Sequence, residues 1–206
     1  MCIRDRLYLA GNYSTNDFNI SDDGHGGTLI TAKAGPPVAF LTNDTQTASL
    51  VQLYVASFNR APDSEGLSYW AKRLKDGMSL NDIAKSFFDQ PETLAAYPSS
   101  MSTTDFVTKI YNNVLGRNPD TPGLNYWLGE LSNGNIKNDN FLLAIINGAK
   151  ADTGSAIDAL YLSNKELVGA YFSLTNNLND LNAAKQVMAL VTADSSSVTT
   201  ANALSN

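Results

Sequence analysis

The chain has 206 residues, 43% hydrophobic and 17% charged, with a formal net charge of −6 and a pI near 4.6. That is long and apolar enough for a buried core in one or two domains, while the acidic balance, with no cluster of Lys or Arg, argues against a nucleic-acid partner. One cysteine, Cys2, excludes an internal disulfide and a thiolate metal cage, and no apolar run reaches the roughly 18 residues of a membrane helix.

The opening MCIRDR resembles the translated scar of a sequencing adaptor, of the kind found at the ends of metagenomic gene fragments. On that reading residues 1–6 are artefact and the chain is the C-terminal piece of a longer protein. Residues 7–32 alternate in short runs (Phe18, Ile20; Leu29, Thr31) around Asp23-Gly24-His25-Gly26-Gly27, the pattern of strands and turns. Residues 1–37 are therefore expected to be a β-hairpin-like tail of a truncated upstream region, ending in the stiff linker Ala34-Gly35-Pro36-Pro37. Asp22 and Asp23 are candidate ligands for Ca²⁺, which favours carboxylates and carbonyls in tight turns. An ordinary Asp-Gly turn explains the same residues without an ion, and it outweighs the metal reading.

From about Thr45 the period becomes helical. Leu50, Tyr54 and Phe58 recur every fourth residue with Val51 and Val55 beside them, which predicts the first helix. Asp63 precedes a second helix with Leu67, Trp70 and Leu74 on one face. A third helix begins at Ser79-x-x-Asp82 and carries Ile83, Ala84, Phe87 and Phe88, interrupted at Pro91 and followed by a short turn to Tyr97. The order then repeats. Ser102 and Asp105 open a helix with Val107, Ile110, Tyr111, Val114 and Leu115; PDTPGLNYWLGEL follows; Phe141, Leu142, Ile145 and Ile146 complete the unit. Residues 153–206 read as a third helical segment, with Leu160, Leu167, Ala170 and Tyr171 in helical register and two shorter helices behind. The expected fold is all-α: two tandem helical repeats plus a C-terminal helical segment, one domain from 45 to 206.

The repeat is clearest in one phrase. NRAPDSEGLSYW (59–70) and GRNPDTPGLNYW (116–127) share seven of twelve positions at an offset of 57: Arg60/Arg117, Pro62/Pro119, Asp63/Asp120, Gly66/Gly123, Leu67/Leu124, Tyr69/Tyr126 and Trp70/Trp127. Each has a structural role to hand. The Asp carboxylate caps the next helix. The Gly, unfavourable inside a helix, points to close approach of another backbone or of the preceding helix's end. Leu and Trp anchor the core, and Arg bonds the preceding helix's last carbonyls or pairs with the nearby Asp. Tyr69 and Tyr126 lie about 100° round and reach toward the surface, where an aromatic platform for a sugar or protein is the functional alternative to packing.

Enzyme signatures are missing: no Gly-x-Ser-x-Gly, His-Glu-x-x-His or phosphate loop. His25, the one histidine, sits in a Gly-rich turn. Among twenty acidic residues, pairs such as Asp63/Glu65 and Asp120/Glu130 are inevitable. Hence no catalytic residue and no cofactor is assigned.

The pattern Tyr-x(5)-Arg-x-Pro-Asp-x-x-Gly-Leu-x-Tyr-Trp, met at 54–70 and again at 111–127, resembles the bacterial family catalogued as domain of unknown function 4214 (DUF4214). The resemblance implies a helical module of large secreted or surface proteins, S-layer-like ones among them, with no agreed catalytic residues. Abundant Asn, Ser, Thr and Asp with sparse Lys fit the low-charge surface of an extracellular protein. The expectation is a non-catalytic extracellular structural or interaction module whose partner is a protein or polysaccharide, without membrane insertion. The alternatives are a calcium- or carbohydrate-binding accessory domain and, further off, an enzyme. The Ser/Thr/Ala-rich residues 190–206 are a candidate secretion signal.

Overall fold

The computed structural model describes residues 18–22, 28–32, 45–151 and 154–205. Strands β1 (Phe18–Asp22) and β2 (Thr28–Ala32) pair antiparallel, with Ile20 opposite Ile30. The linker expected at 34–37, together with Asp23 and His25, lies outside the described residues.

Among the described residues the elements that follow are all helical: α1 (Thr45–Phe58), α2 (Ser64–Lys75), α3 (Leu80–Phe88), α4 (Pro91–Ala96), α5 (Thr103–Leu115), α6 (Thr121–Ser132), α7 (Asn138–Lys150), α8 (Ala156–Ala170), α9 (Leu181–Ala189) and α10 (Ser196–Leu204), with a π-helical turn at Tyr171–Thr175 continuing α8. Local chemistry marks the starts. Ser79, Ser102 and Ser155 each accept the amide of the residue three positions on, at the heads of α3, α5 and α8. The segment before Tyr97 is the short helix α4 rather than a turn, because Pro91 at its first position is pre-set for helix. Pro91 also separates α3 from α4. Its counterpart after the one-residue slip in the second copy is Ala149, which leaves α7 to run unbroken.

Helix α1 is the hub. Every residue from Leu50 to Ser57 is buried, Gln52 included, so the helix has no solvent face along that stretch. It packs against α2, α3, α4, α5, α7 and α8. One apolar cluster joins Leu50, Leu53 and Tyr54 to Ile83, Phe87, Val107, Ile110, Phe141 and Leu142. A second, around Val55, Phe172, Val187 and Met188, covers the opposite side with α9 and α10.

The third segment departs from its sequence reading at Leu160, which is exposed. The buried face of α8 runs instead through Asp158, Leu162, Lys165 and Val168. A lysine and an aspartate in the middle of that stripe disguise its period. The Ser/Thr/Ala-rich end is folded too: Val198 and Ala201 of α10 belong to the second cluster.

Candidate functional site

The repeated phrase forms the corner between the first and second helices of each copy, α1–α2 and α5–α6. A left-handed residue turns the chain out of the leading helix: Asn59 at φ 49° in the first copy and Gly116 at φ 67° in the second. Asn and Gly tolerate that conformation best, so an Asn/Gly exchange at matching repeat positions is a signal that the shared residues alone do not carry.

Asp63 and Asp120 then open α2 and α6. Oδ1 of each accepts the amide of the glycine three residues on, Gly66 or Gly123, at 2.7 Å. Losing a cap costs about 0.5–2 kcal/mol, so Asp63→Ala with Asp120→Ala is expected to lower stability by about 1–4 kcal/mol in a thermal or denaturant melt.

The glycines are explained by side chains, not by backbone approach. A Cβ on Gly66 would lie 2.6 Å from Asp63 Oδ1 and closer still to the Tyr54 hydroxyl; on Gly123 it would lie 2.8 Å from Asp120 Oδ1 and 3.3 Å from the Tyr111 hydroxyl. The residue is small so that the cap carboxylate and a tyrosine from the preceding helix can reach the helix start. Gly66→Ala is therefore expected to destabilise by about 1–3 kcal/mol. Gly129→Ala in α6, where the added methyl meets nothing, is expected to stabilise by about 0.5–1 kcal/mol. The pair of melts separates crowding from helix propensity.

The arginines find partners far along the chain. Arg60 is buried; its Nε contacts both oxygens of Glu92 (3.0 and 3.1 Å), Nη2 donates to Glu92 Oε2 at 3.0 Å, and Nη1 reaches the Ala61 carbonyl at 2.9 Å and Asp63 Oδ2 at 3.3 Å. Its guanidinium also stands 5.2 and 5.1 Å from the ring centres of Tyr54 and Phe58. Arg117 pairs with Asp158 at the head of α8 rather than with Asp120, through Nε to Oδ1 at 2.8 Å and Nη2 to Oδ2 at 2.7 Å. Each copy thus closes its corner on a different distant carboxylate outside the phrase, and the expected pairing with the nearby Asp is made in the first copy alone, by Arg60 with Asp63.

Of the apolar members, Leu67 is fully buried, whereas Leu124, Trp70 and Trp127 are only half-buried at the edge of the core. For Trp127 the reason is polar: its Nε1 donates to the Tyr111 hydroxyl at 2.9 Å, which holds the indole at the rim of the corner. Burial pushes the Tyr54 hydroxyl well above the ordinary phenol range; Asp63 adds to this and Arg60 opposes it. Pro62 is buried, and its carbonyl lies 2.7 Å from the Ser173 hydroxyl in the π-helical turn; Pro119 is half-buried. The first corner is tied to the third segment by backbone bonds as well, Ala61 N to Ala184 O at 3.1 Å and Ser64 N to Leu178 O at 2.9 Å.

Tyr69 and Tyr126 are 50% and 58% exposed. Each stands edge-on against the neighbouring tryptophan, at 4.9 Å for Tyr69–Trp70 and 4.8 Å for Tyr126–Trp127. They sit on different helices with different supports, α2 on α1 and α6 on α5.

A cavity of about 370 Å³ opens at the first corner, lined by Tyr54, Phe58, Arg60, Asp63, Trp70, Phe87 and the start of α4. Its two carboxylates, Asp63 and Glu92, are both hydrogen-bonded to Arg60. Of the metal candidates, Asp22 ends β1 opposite Thr28, and Asp23 is outside the described residues. Among the described residues no three His, Cys, Asp or Glu side chains gather to hold a metal ion, and no helix is long and apolar enough to cross a membrane.

The sequence pattern of the family described as Domain of unknown function (DUF4214) matches residues 40–97 and again 84–152, the two stretches that carry the corners. No curated protein and no solved structure matches the chain. With more than half its length matched in two copies, the chain belongs to the DUF4214 family.

Proposed function

We propose that this chain is a non-catalytic structural or interaction module of a secreted or surface-layer-type bacterial protein, meeting a polysaccharide or protein through the outer face of its helix corners. The observation that carries this reading is the division of labour within the repeated phrase. Arg, Asp, Gly and the tryptophans are spent on closing each corner, while one tyrosine per copy, Tyr69 and Tyr126, is left half or more exposed on a rigid aromatic support. A tyrosine fixed in that way offers large amphipathic contact area at little entropic cost. Support for a surface setting is compositional, from the low charge and the wealth of Asn, Ser and Thr.

The test is the double substitution Tyr69→Ala plus Tyr126→Ala in the full chain. Its melt is expected to stay within about 0.5 kcal/mol of the parent, as for surface positions, while co-sedimentation with peptidoglycan or with insoluble bacterial surface polysaccharide is lost. A double variant that pellets as well as the parent, or a parent that pellets with neither, would sink the tyrosine-face reading.

A further inference from the structure

We infer that the outer face of α2 docks on the same face of a second copy of this chain, antiparallel about Tyr69, so that two chains form a symmetric dimer; the inference rests on the reading of Tyr69 as a contact residue and names its partner. The stripe that carries it is Glu65, Tyr69 and Arg73, spaced four apart on one side of the helix and all exposed. Among the described residues Glu65 and Arg73 form no ion pair. Neutral groups hold them instead. Arg73 Nε donates to the Tyr69 hydroxyl at 3.2 Å with its guanidinium 5.1 Å from that ring centre, and Asn179 Nδ2 donates to Glu65 Oε1 at 3.4 Å. The two charges stand about 12 Å apart along the helix, too far to pair within it. Lys72, by contrast, is already matched by Asp76 at 2.6 Å.

Antiparallel pairing supplies the missing partners. With Tyr69 on the twofold axis, Glu65 of each chain lies opposite Arg73 of the other. The result is two equivalent ion pairs around two facing tyrosine rings, the self-complementary arrangement that a twofold contact requires. Packed helix axes about 8–10 Å apart bring such side chains within reach. The helix macrodipole also favours an acid in the first turn and a base in the last, yet the second copy builds the same corner without either: Pro122 and Glu130 flank Tyr126 at the matching positions. That stripe is not self-complementary. Nor does it suit α2 antiparallel about the tyrosines, where Glu130 falls opposite Glu65. Helix α2 packs mainly on α1 and on the π-helical turn, which leaves its own stripe uncovered. A helix of 12 residues presents less area than the about 1,200 Å² of a stable complex, so the dimer is weak and concentration-dependent.

Analytical sedimentation of the full chain over a concentration series up to about 1 mM, where weak complexes populate, tests the contact. The parent is expected to move from monomer toward dimer. Glu65→Arg and Arg73→Glu each set like charges face to face twice, and each is expected to weaken self-association by at least about tenfold. An equimolar mixture of those two variants is expected to dimerise like the parent, because each offers the other the opposite charges. The double variant Glu65→Arg plus Arg73→Glu is expected to do so alone. Glu130→Arg is expected to change nothing. A parent that stays monomeric throughout, a mixture no heavier than its components, or loss of the dimer in Glu130→Arg overturns the assignment, the last by moving the contact to α6. Pelleting separates the two readings. A chain that pellets with polysaccharide through its tyrosines yet stays monomeric keeps the surface reading and loses this one. A dimer governed by the charge variants, in a chain that pellets with neither polymer, keeps the α2 contact and loses the polysaccharide.

Discussion

Stability is expected to rise by about 1–2 kcal/mol between pH 7 and pH 9.5, and the rise should vanish in Lys165→Met. Lys165 is 2% exposed, in the middle of α8, and has no carboxylate partner among the described residues. Its ammonium donates to Asn59 Oδ1 at 2.7 Å and to the Asn113 carbonyl at 3.2 Å, and it stands 5.0 Å from the Tyr161 ring centre. These acceptors belong to the ends of α1 and α5, where helix carbonyls lack partners and favour a cation. The lysine therefore joins two helix C-termini in the centre of the molecule. Burial nevertheless wins, and it draws the ammonium down from 10.5 to about 8.

The sign follows from proton counting. Between pH 8 and 10.5 the unfolded lysine keeps its proton while the folded one has released it, so the unfolded state binds more protons and stability climbs with pH. Below pH 8 both are charged and the full desolvation cost is present. Tyrosines set the upper edge. Burial raises Tyr54, Tyr97, Tyr111 and Tyr161 above their ordinary value of 10.0, so as the pH approaches that value the unfolded state loses phenolic protons first and stability turns down. The stability maximum is expected near pH 9.5. At pH 7 Lys165→Met itself should be close to neutral, since the relief of desolvation is offset by about 1–3 kcal/mol for the carbonyl left unpaired. Chemical denaturation at pH 7 and at pH 9.5 in both chains checks this. A parent whose midpoint is flat over that interval would mean the ammonium is solvated.

What could be read from the sequence divides by range. A cap needs four residues, so Asp63 with Gly66, or Ser102 with Asp105, is visible without a fold. The repeat is visible because the same corner is built twice from the same local parts. Glu92 and Asp158 were not legible as the partners of Arg60 and Arg117: they lie 32 and 41 residues away, and packing alone selects them. Nor was Lys165, because a lysine in a helix reads as solvated and only the meeting of α1, α5 and α8 encloses it. The same enclosure hid the buried face of α8 and sent the expected stripe to the exposed Leu160. The cavity was not legible either, since Phe58 and Phe87, which line it, are core residues whose meeting with Arg60 and the start of α4 depends on the fold.

Glu92→Ala and Arg117→Ala are each expected to cost about 3 kcal/mol, and in both copies removing the more exposed member should cost more than removing the buried one. In the first pair the cation is enclosed: the Arg60 side chain is 6% exposed against 28% for Glu92. In the second the anion is enclosed: Asp158 is 7% exposed against 43% for Arg117. Deleting the exposed partner strands a buried charge, whose desolvation is then uncompensated. Deleting the buried one returns its partner to water and leaves a gap in packing. Neither stranded charge is wholly abandoned, which holds the effect near the lower end of the range. Arg60 retains the Ala61 carbonyl and a longer contact to Asp63, and Asp158 sits in the first turn of α8, where the helix end is positive. Arg60→Met and Asp158→Asn are expected to cost about 1 kcal/mol, since methionine follows the arginine stem and asparagine keeps the aspartate's shape. For a protein of this length each kcal/mol shifts the melting temperature by about 2–4 °C, so the damaging pair should melt about 6–12 °C below the parent and the mild pair within a few degrees. The reverse order in either copy would mean that the corner is held by packing around the arginine and that its ion pair is incidental.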